Sequence, residues 1–406
     1  MTLTAADVAA PVAGYARRFH ASAGARHHVG SPLGAWLLLA LCASPSEGKT
    51  RQTLSATLGC DPAAAADLAA ELLARPDPQV PAAAAVWHRP GPLTDAATRW
   101  LAGLPPQVQT GPLTSQADLD DWARRGTLGL IERFPVTLDP SLYLLAATVL
   151  ASRVSWERPF DLAPASALGR SSPWATTLGQ VLRTPDGPGH QKFVAATQAA
   201  GDVAVHAAQA RGGLQVISVA ATPGVPAADV LAAAYDLGPA LATGAPVTRR
   251  SLFDLPLGEG PLWTITEQTG PVKPASGREE RCTAVLPAWS AHSQQDLSDP
   301  SLGFAAAAAA LAPGDPWQAR QAAMARYSRV GFEAAAVTGL AIAMAARPSR
   351  PGLIRTAQLR FGHPFAVVAV AAGEPGRGGA ADRGPWYGLP VFSAWVAQPE
   401  DAAPDD

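Results

Sequence analysis

Between Ser328 and Gly352 the chain reads SRVGFEAAAVTGLAIAMAARPSRPG, and its middle, from Ala334 to Ala346, has no charge and little bulk. Alanine favours a helix. Val337, Thr338, Gly339 and Ile342 do not, and Ser328 is the only N-cap ahead of the run. Every second residue gives Phe332, Ala334, Ala336, Thr338, Leu340, Ile342 and Met344, a nearly apolar face with the period of a strand. The other face is Glu333, Ala335, Val337, Gly339, Ala341 and Ala343. Such a strand fits inside a sheet and not on a surface.

The rest of the composition permits a large core. Of 406 residues, 48% are hydrophobic and 16% charged, which argues against disorder. The net charge of −2 gives no reason to expect nucleic acid or an anionic membrane as partner. The N-terminus lacks a basic start followed by an apolar segment, so the expected location is the cytoplasm. The longest apolar run, Ala35 to Ala43, is too short to span a bilayer. Cys42, Cys60 and Cys282 leave one cysteine over and read as reduced thiols, with Cys42 in the core.

Helices are expected at Asp7–Ala23, from Ser31-Pro32 to about Leu41, at Thr50–Leu58 with Thr50 as cap, at Ala63–Leu73, from Gln116 and at Leu302–Leu311. Leu144–Val154 reads as a strand buried on both faces, and Val203–Ala221 as a hairpin turning at RGG. Further strands are expected at Thr283–Trp289, Arg355–Phe361, Phe365–Ala371 and Val391–Val396. Helices and strands without a repeating strand–helix unit point to an α+β fold.

Several blocks resemble the serpin family. SPLGAWLLLALCASPSEGKTRQTLSATLG, Ser31 to Gly59, follows the family pattern without a gap. LDDWARRGTLGLIERFP places Trp122, Thr127, Gly129 and Ile131 in register, and SWERPFD keeps Trp156 and Pro159-Phe160. VLPAW, FGHPFAVVAV and VFSAWVAQP are similar to later strands, and GFEAAAVTG to the hinge of the reactive loop. The blocks lie in family order from about residue 31 to residue 399.

The resemblance implies one α+β domain over 1–406, with several helices around three mixed β-sheets and an exposed reactive-centre loop at 328–355. It leaves a hairpin insertion at 372–386, and 400–406 reads as a disordered acidic tail. It also implies a monomeric inhibitor of serine or cysteine proteases. A protease cuts the loop, and the freed loop inserts as a new central strand before the acyl-enzyme is hydrolysed. The implied hinge is Arg329, Gly331, Phe332, Glu333, Ala334, Ala335, Ala336 and Thr338. Phe332 stands where a small residue is usual, and Arg329 where an acid is usual. A ring forced into a threonine-sized slot costs about 1–3 kcal/mol through overpacking, so slower insertion is expected. The sheet-opening cluster maps to Ser31, Gly34, Thr148 and Gln321, and only Ser31 matches the usual residue.

At the usual hinge-to-bait distance the reactive bond is Ala345–Ala346, suited to an elastase-like or subtilisin-like protease. Arg355 comes second and Arg347 third, since Arg347 and Arg350 each precede proline. Other chemistry reads weakly. His27-His28 looks like a solvated loop, Gly376–Ala380 like a flexible hairpin, and SEGK at Ser46–Lys49 like chance. No catalytic residue, cofactor or metal ligand is assigned, and the chain reads as a non-enzyme. Two alternatives stay open: a non-inhibitory scaffold binding a small-molecule ligand or partner, and a scaffold repurposed as an enzyme of bacterial small-molecule metabolism.

Overall fold

This computed structural model describes residues 5–91, 93–139, 142–311, 313–314, 317–332, 350–373 and 384–404. Where the sequence suggests one domain, the chain forms two compact units, each gathered from three separate stretches. The first comprises Met1–Ser152, Ala291–Met324 and Ala369–Ala394, and the second Arg153–Ser290, Ala325–Val368 and Trp395–Asp406. The α+β class stands.

The first unit is built on a helix, Pro32–Ala43, in which every residue is buried. Ser31 caps it by accepting the Gly34 N–H, and Pro32 opens it where no N–H is needed. Helices end in carbonyls with no partner inside the helix. Here three tryptophans supply one each. The indole N–H groups of Trp100, Trp36 and Trp386 donate to Leu41, Leu58 and Leu72, in the last turns of three successive helices. Each ring therefore buries its apolar body without stranding its polar edge. The Trp122 block packs likewise, with that ring 5.0 Å from Trp87 and 6.1 Å from Phe134. Thr127 ties the end of its helix, donating to Ala123 O and accepting from Ile131 N, and Gly129 takes the left-handed turn at φ 83°.

In the second unit the expected hairpin is present as Gly201–Gln209 and Leu214–Ala220, with His190–Thr197 paired on its other side. A second sheet sets Arg350–Arg360 antiparallel to Trp263–Val272 and parallel to Arg278–Leu286. The described strands fall into four hydrogen-bonded sheets, one more than expected. The apolar run Leu144–Val154 is the reason. It pairs at Leu144–Leu150 and again at Val154–Ser155, with unpaired backbone between. Its first part also alternates between buried and half-buried residues, so it is not buried on both faces.

Other differences are local. The helix expected from Thr50 begins at Gly48, two residues ahead of its supposed cap, with Glu47 before it. Helices Asp95–Ala102 and Ala227–Thr243 were not expected, although Thr94 caps the first by accepting from Ala97 N and left-handed Gly244 closes the second. Arg350–Arg360 is strand, so the last six residues of the expected 328–355 loop are sheet. The acidic tail is ordered through Pro404: Asp401 accepts from Gly179 N and Gln180 N, Ala402 N donates to Gln180 O, and Ala402 is buried. Backbone donors within reach of a carboxylate outweigh the solvating composition of QPEDAAPDD. Most of the expected 372–386 insertion lies outside the described residues, and Trp386 is anchored as above.

Candidate functional site

The two described residues that open the expected hinge lie inside a sheet. Gly331 and Phe332 form a two-residue strand between two others, with Tyr327 opposite Phe332 on one side and Ser155 and Val154 opposite Gly331 and Phe332 on the other. The turn before it is held by Ser328 N donating to Gly331 O at 3.0 Å. Its carbonyls are taken up in series: Ser328 O by the Trp156 indole at 3.0 Å, Arg329 O by Phe160 N at 2.9 Å and Val330 O by Trp156 N at 3.0 Å. The Arg329 guanidinium donates to Pro404 O at 3.1 Å. Trp156 and Phe160 of SWERPFD thus grip this turn.

Phe332 is 4% exposed. Its ring stands edge-on to Trp289 at 6.4 Å, in a cluster where Tyr327 lies 4.9 Å from Trp156 and 5.8 Å from Phe160. Phe332 thus sits among aromatic rings, and burying its own ring contributes about 1.5–3 kcal/mol in favour of the seated position. Glu333, Ala334, Ala335, Ala336, Thr338 and the Ala345–Ala346 bond lie outside the described residues, as does Arg347. Arg355, the second bait candidate, is locked mid-strand. It bonds Glu267, Leu252 O and Leu255 O and lies over the Phe253 ring at 4.9 Å. A protease cleft needs an extended segment that can detach, and Arg355 is paired on both sides.

The first unit brings Ser31, Gly34, Thr148 and Gln321 together, rebuilt around backbone. Gln321 holds Ser31 with both ends of its amide, accepting from Ser31 N and donating to Ser31 O, each at 2.8 Å. The Ser31 hydroxyl donates to Val391 O at 2.7 Å, and Thr148 donates to Gly34 O at 2.7 Å. Thr148 and Gln321 thus meet the same turn from separate directions. A Cβ at Gly34 would stand 3.0 Å from a Leu150 methyl and 3.2 Å from the Ser31 hydroxyl, so the missing serine leaves little room to be restored. Among the described residues, Leu144–Leu150 pairs on one side only, with Ala82–His88, and the Arg320–Met324 stretch pairs only with Trp289–Asp296. Residues of both free edges, among them Ala146, Thr148, Arg320 and Gln321, line one cleft of about 30 Å³.

Two histidines meet inside the first unit. His28, expected in a solvated loop, is buried, with its Nε2 2.8 Å from His20 Nδ1. His20 Nε2 is 2.7 Å from the Ser393 hydroxyl, and His28 Nδ1 is 2.8 Å from Arg26 O. A serine, a base and an orienting group at these distances is the pattern of an activated nucleophile. Ser393, however, is 2% exposed in a strand whose seven residues are all buried, so no substrate reaches it. Burial and the neighbouring His28 push His20 down to about 3. Cys42 is core, its thiol pushed up to about 12 by burial. Ser46 of SEGK spends its hydroxyl on Ala43 O. Among the described residues no group of three or more His, Cys, Asp or Glu could hold a metal, and no helix is long and apolar enough to cross a membrane.

No protein-family model matches the chain, and no curated protein matches it in sequence. Solved structures do. A thermophilic serpin, tengpin, in its native state is 11% identical with a TM-score of 0.62, over 96% of this chain and 93% of that one. Human thyroxine-binding globulin complexed with its hormone is 14% identical with a TM-score of 0.62, over 98% of this chain and 100% of that one. Serpin48 of the insect Tenebrio molitor is 14% identical with a TM-score of 0.57, over 97% and 99%. At such identities the likeness speaks for the fold, and the fold is that of the serpins over nearly the whole chain.

Proposed function

We propose that the chain is a divergent serpin that traps a serine or cysteine protease by cleavage and insertion of the segment after Phe332. The observation that carries this reading is the seated hinge. Gly331–Phe332 already occupies a place between two strands, antiparallel to the strand that leads into it. If the segment inserts in that register, Ala334 would come opposite Ala325, small against small, as the apolar alternation of the run suits. In the first unit the cleft beside Thr148 and Gln321 is flanked by two edges that, among the described residues, pair on one side only. A loop with one apolar face, released at Ala345–Ala346 by an elastase-like or subtilisin-like protease, would insert from the seated Gly331–Phe332. In this reading the protein acts in the cytoplasm of a bacterium, as a monomer and without a cofactor.

The test is to nick and melt. Catalytic elastase or subtilisin is expected to cut near Ala345, with a large rise in melting temperature as the strand inserts. A clean cut with no rise would remove insertion, and inhibition with it.

A second reading has one observation in its favour. In the first unit Leu38, Tyr143, Phe304, Leu311 and Trp317 wall an apolar cavity of about 70 Å³. A similar fold in thyroxine-binding globulin carries a small ligand. A non-inhibitory carrier would show ligand-dependent stabilisation with no gain on cleavage.

A further inference from the structure

The connector Trp156–Phe160 touches two things at once. On one side its amides hold the hinge turn, through Val330 O and Arg329 O. On the other, the Arg158 carbonyl accepts from His190 Nε2 at 2.8 Å, and the Phe160 ring packs 4.6 Å from His190 and 5.4 Å from His206. The two imidazoles are stacked, with His190 Nδ1 3.0 Å from His206 Nε2. That network fixes the tautomers of the neutral rings. His190 donates through Nε2 to Arg158, so its Nδ1 must accept, and His206 must donate to it through Nε2. His206 Nδ1 is then left as a buried acceptor with no partner. The hydroxyls of Ser218, across the ladder from His206, and of Tyr327, beside Phe160, are buried without partners as well.

We propose that His190 and His206 form a proton-operated catch on the hinge: the pair fits under the connector only while both rings are neutral, and protonation releases Trp156–Phe160 together with Gly331–Phe332. A proton added to His190 turns Nδ1 into a donor facing the His206 donor. A proton added to His206 places an N–H at Nδ1 where nothing accepts it. The charged groups around the pair do not compensate. Arg158 and Lys192 oppose a charge on His190 and only Asp161 favours it, while Lys192 and His190 oppose one on His206. Burial is the largest influence on both; His190 is lowered to about 4 and His206 well below its ordinary value. An open arrangement that wets the rings takes up two protons below about pH 6.5, so acid favours it by mass action. The inference concerns the hinge used in the insertion reading, but it needs only that the intact hinge unseats.

The experiment is hydrogen exchange on the intact, uncut protein at pH 7 and near pH 5, corrected for intrinsic exchange rates. The readout is peptides spanning 154–160 and 325–332, with 214–220 as reference. Protection of the first two is expected to fall at least about tenfold further than that of the reference at the lower pH. His206→Leu should flatten that response, and His190→Gln serves if the first variant misfolds. Unchanged protection in the wild type would overturn the catch. So would parallel loss in all three peptides, or the same fall in a folded variant. Because no loop is cut, these outcomes are independent of whether cleavage raises the melting temperature.

Discussion

In one unit His20 meets His28 nitrogen to nitrogen at 2.8 Å, and in the other His206 meets His190 at 3.0 Å, with ring centroids 5.1 and 5.3 Å apart. Both pairs begin by donating to a backbone carbonyl, Arg26 O or Arg158 O. They differ at the far end. His20 Nε2 is met by the Ser393 hydroxyl, whereas His206 Nδ1 is met by nothing. A closed relay is satisfied only when neutral and loses partners if opened, so it fastens its surroundings. An open-ended one gives up little on opening, and that is what a movable hinge needs beneath it.

The largest effect should come from acid, and it should fall on both pairs. Burial depresses all four histidines, His20 to about 3 and His190 to about 4. The unfolded chain binds these protons near pH 6.5 and the folded chain does not. Stability is therefore fully present above pH 6.5 and is lost as the pH falls from there towards the folded values. At pH 5 each fully depressed histidine removes about 2 kcal/mol. Urea unfolding at pH 7 and pH 5 measures the loss. A midpoint that does not move over that range would mean the rings are solvated and the comparison is empty.

The next effect separates the pairs. His20→Leu removes the ring that bonds both His28 Nε2 and the Ser393 hydroxyl, at about 2–4 kcal/mol for two buried hydrogen bonds lost. His206→Leu strands His190 Nδ1 alone and deletes an atom already without a partner, so about 0–1 kcal/mol is expected. Unfolding of both variants at pH 7 gives the difference directly. Equal losses would show that the free end of the second pair has no energetic meaning.

How much of this could be read from the chain depends on how far apart the partners lie in it. The strand at Gly331–Phe332 was legible because the run it opens has the period of a strand. The slot that accepts Phe332 was not, because Trp156, Trp289 and Tyr327 arrive from three distant stretches and no local rule joins them. His28 was read as solvated from its neighbour His27, yet its partner is on a helix that ends just before it. The second pair was nearer to legible. His190–Thr197 and Gly201–Gln209 are hairpin partners with Lys192 opposite His206, which makes His190 a diagonal neighbour of His206. Extending the expected hairpin one strand upstream would have found it. In the sheet-opening cluster the positions were legible and the bonds were not, since Gln321 and Thr148 both turn to backbone that carries no side-chain signal.

The smallest effect is the most direct attempt to break the comparison. Ser393→Ala removes the hydroxyl that closes the first relay and leaves His20 Nε2 as an acceptor without its 2.7 Å donor, the condition of His206 Nδ1. The strand around it is buried throughout, so the alanine methyl stays packed and the change is mainly one lost hydrogen bond. The cost should be about 1 kcal/mol at pH 7. It should also convert the first pair to the behaviour of the second. Exchange of the His28–Gly30 amides, steady in the wild type until global unfolding, should become acid-sensitive near pH 5. If those amides stay protected while stability falls by the expected amount, an unpartnered nitrogen alone does not make a catch. The mobility of the second pair would then have to come from its neighbour Phe160 and the turn that Phe160 holds.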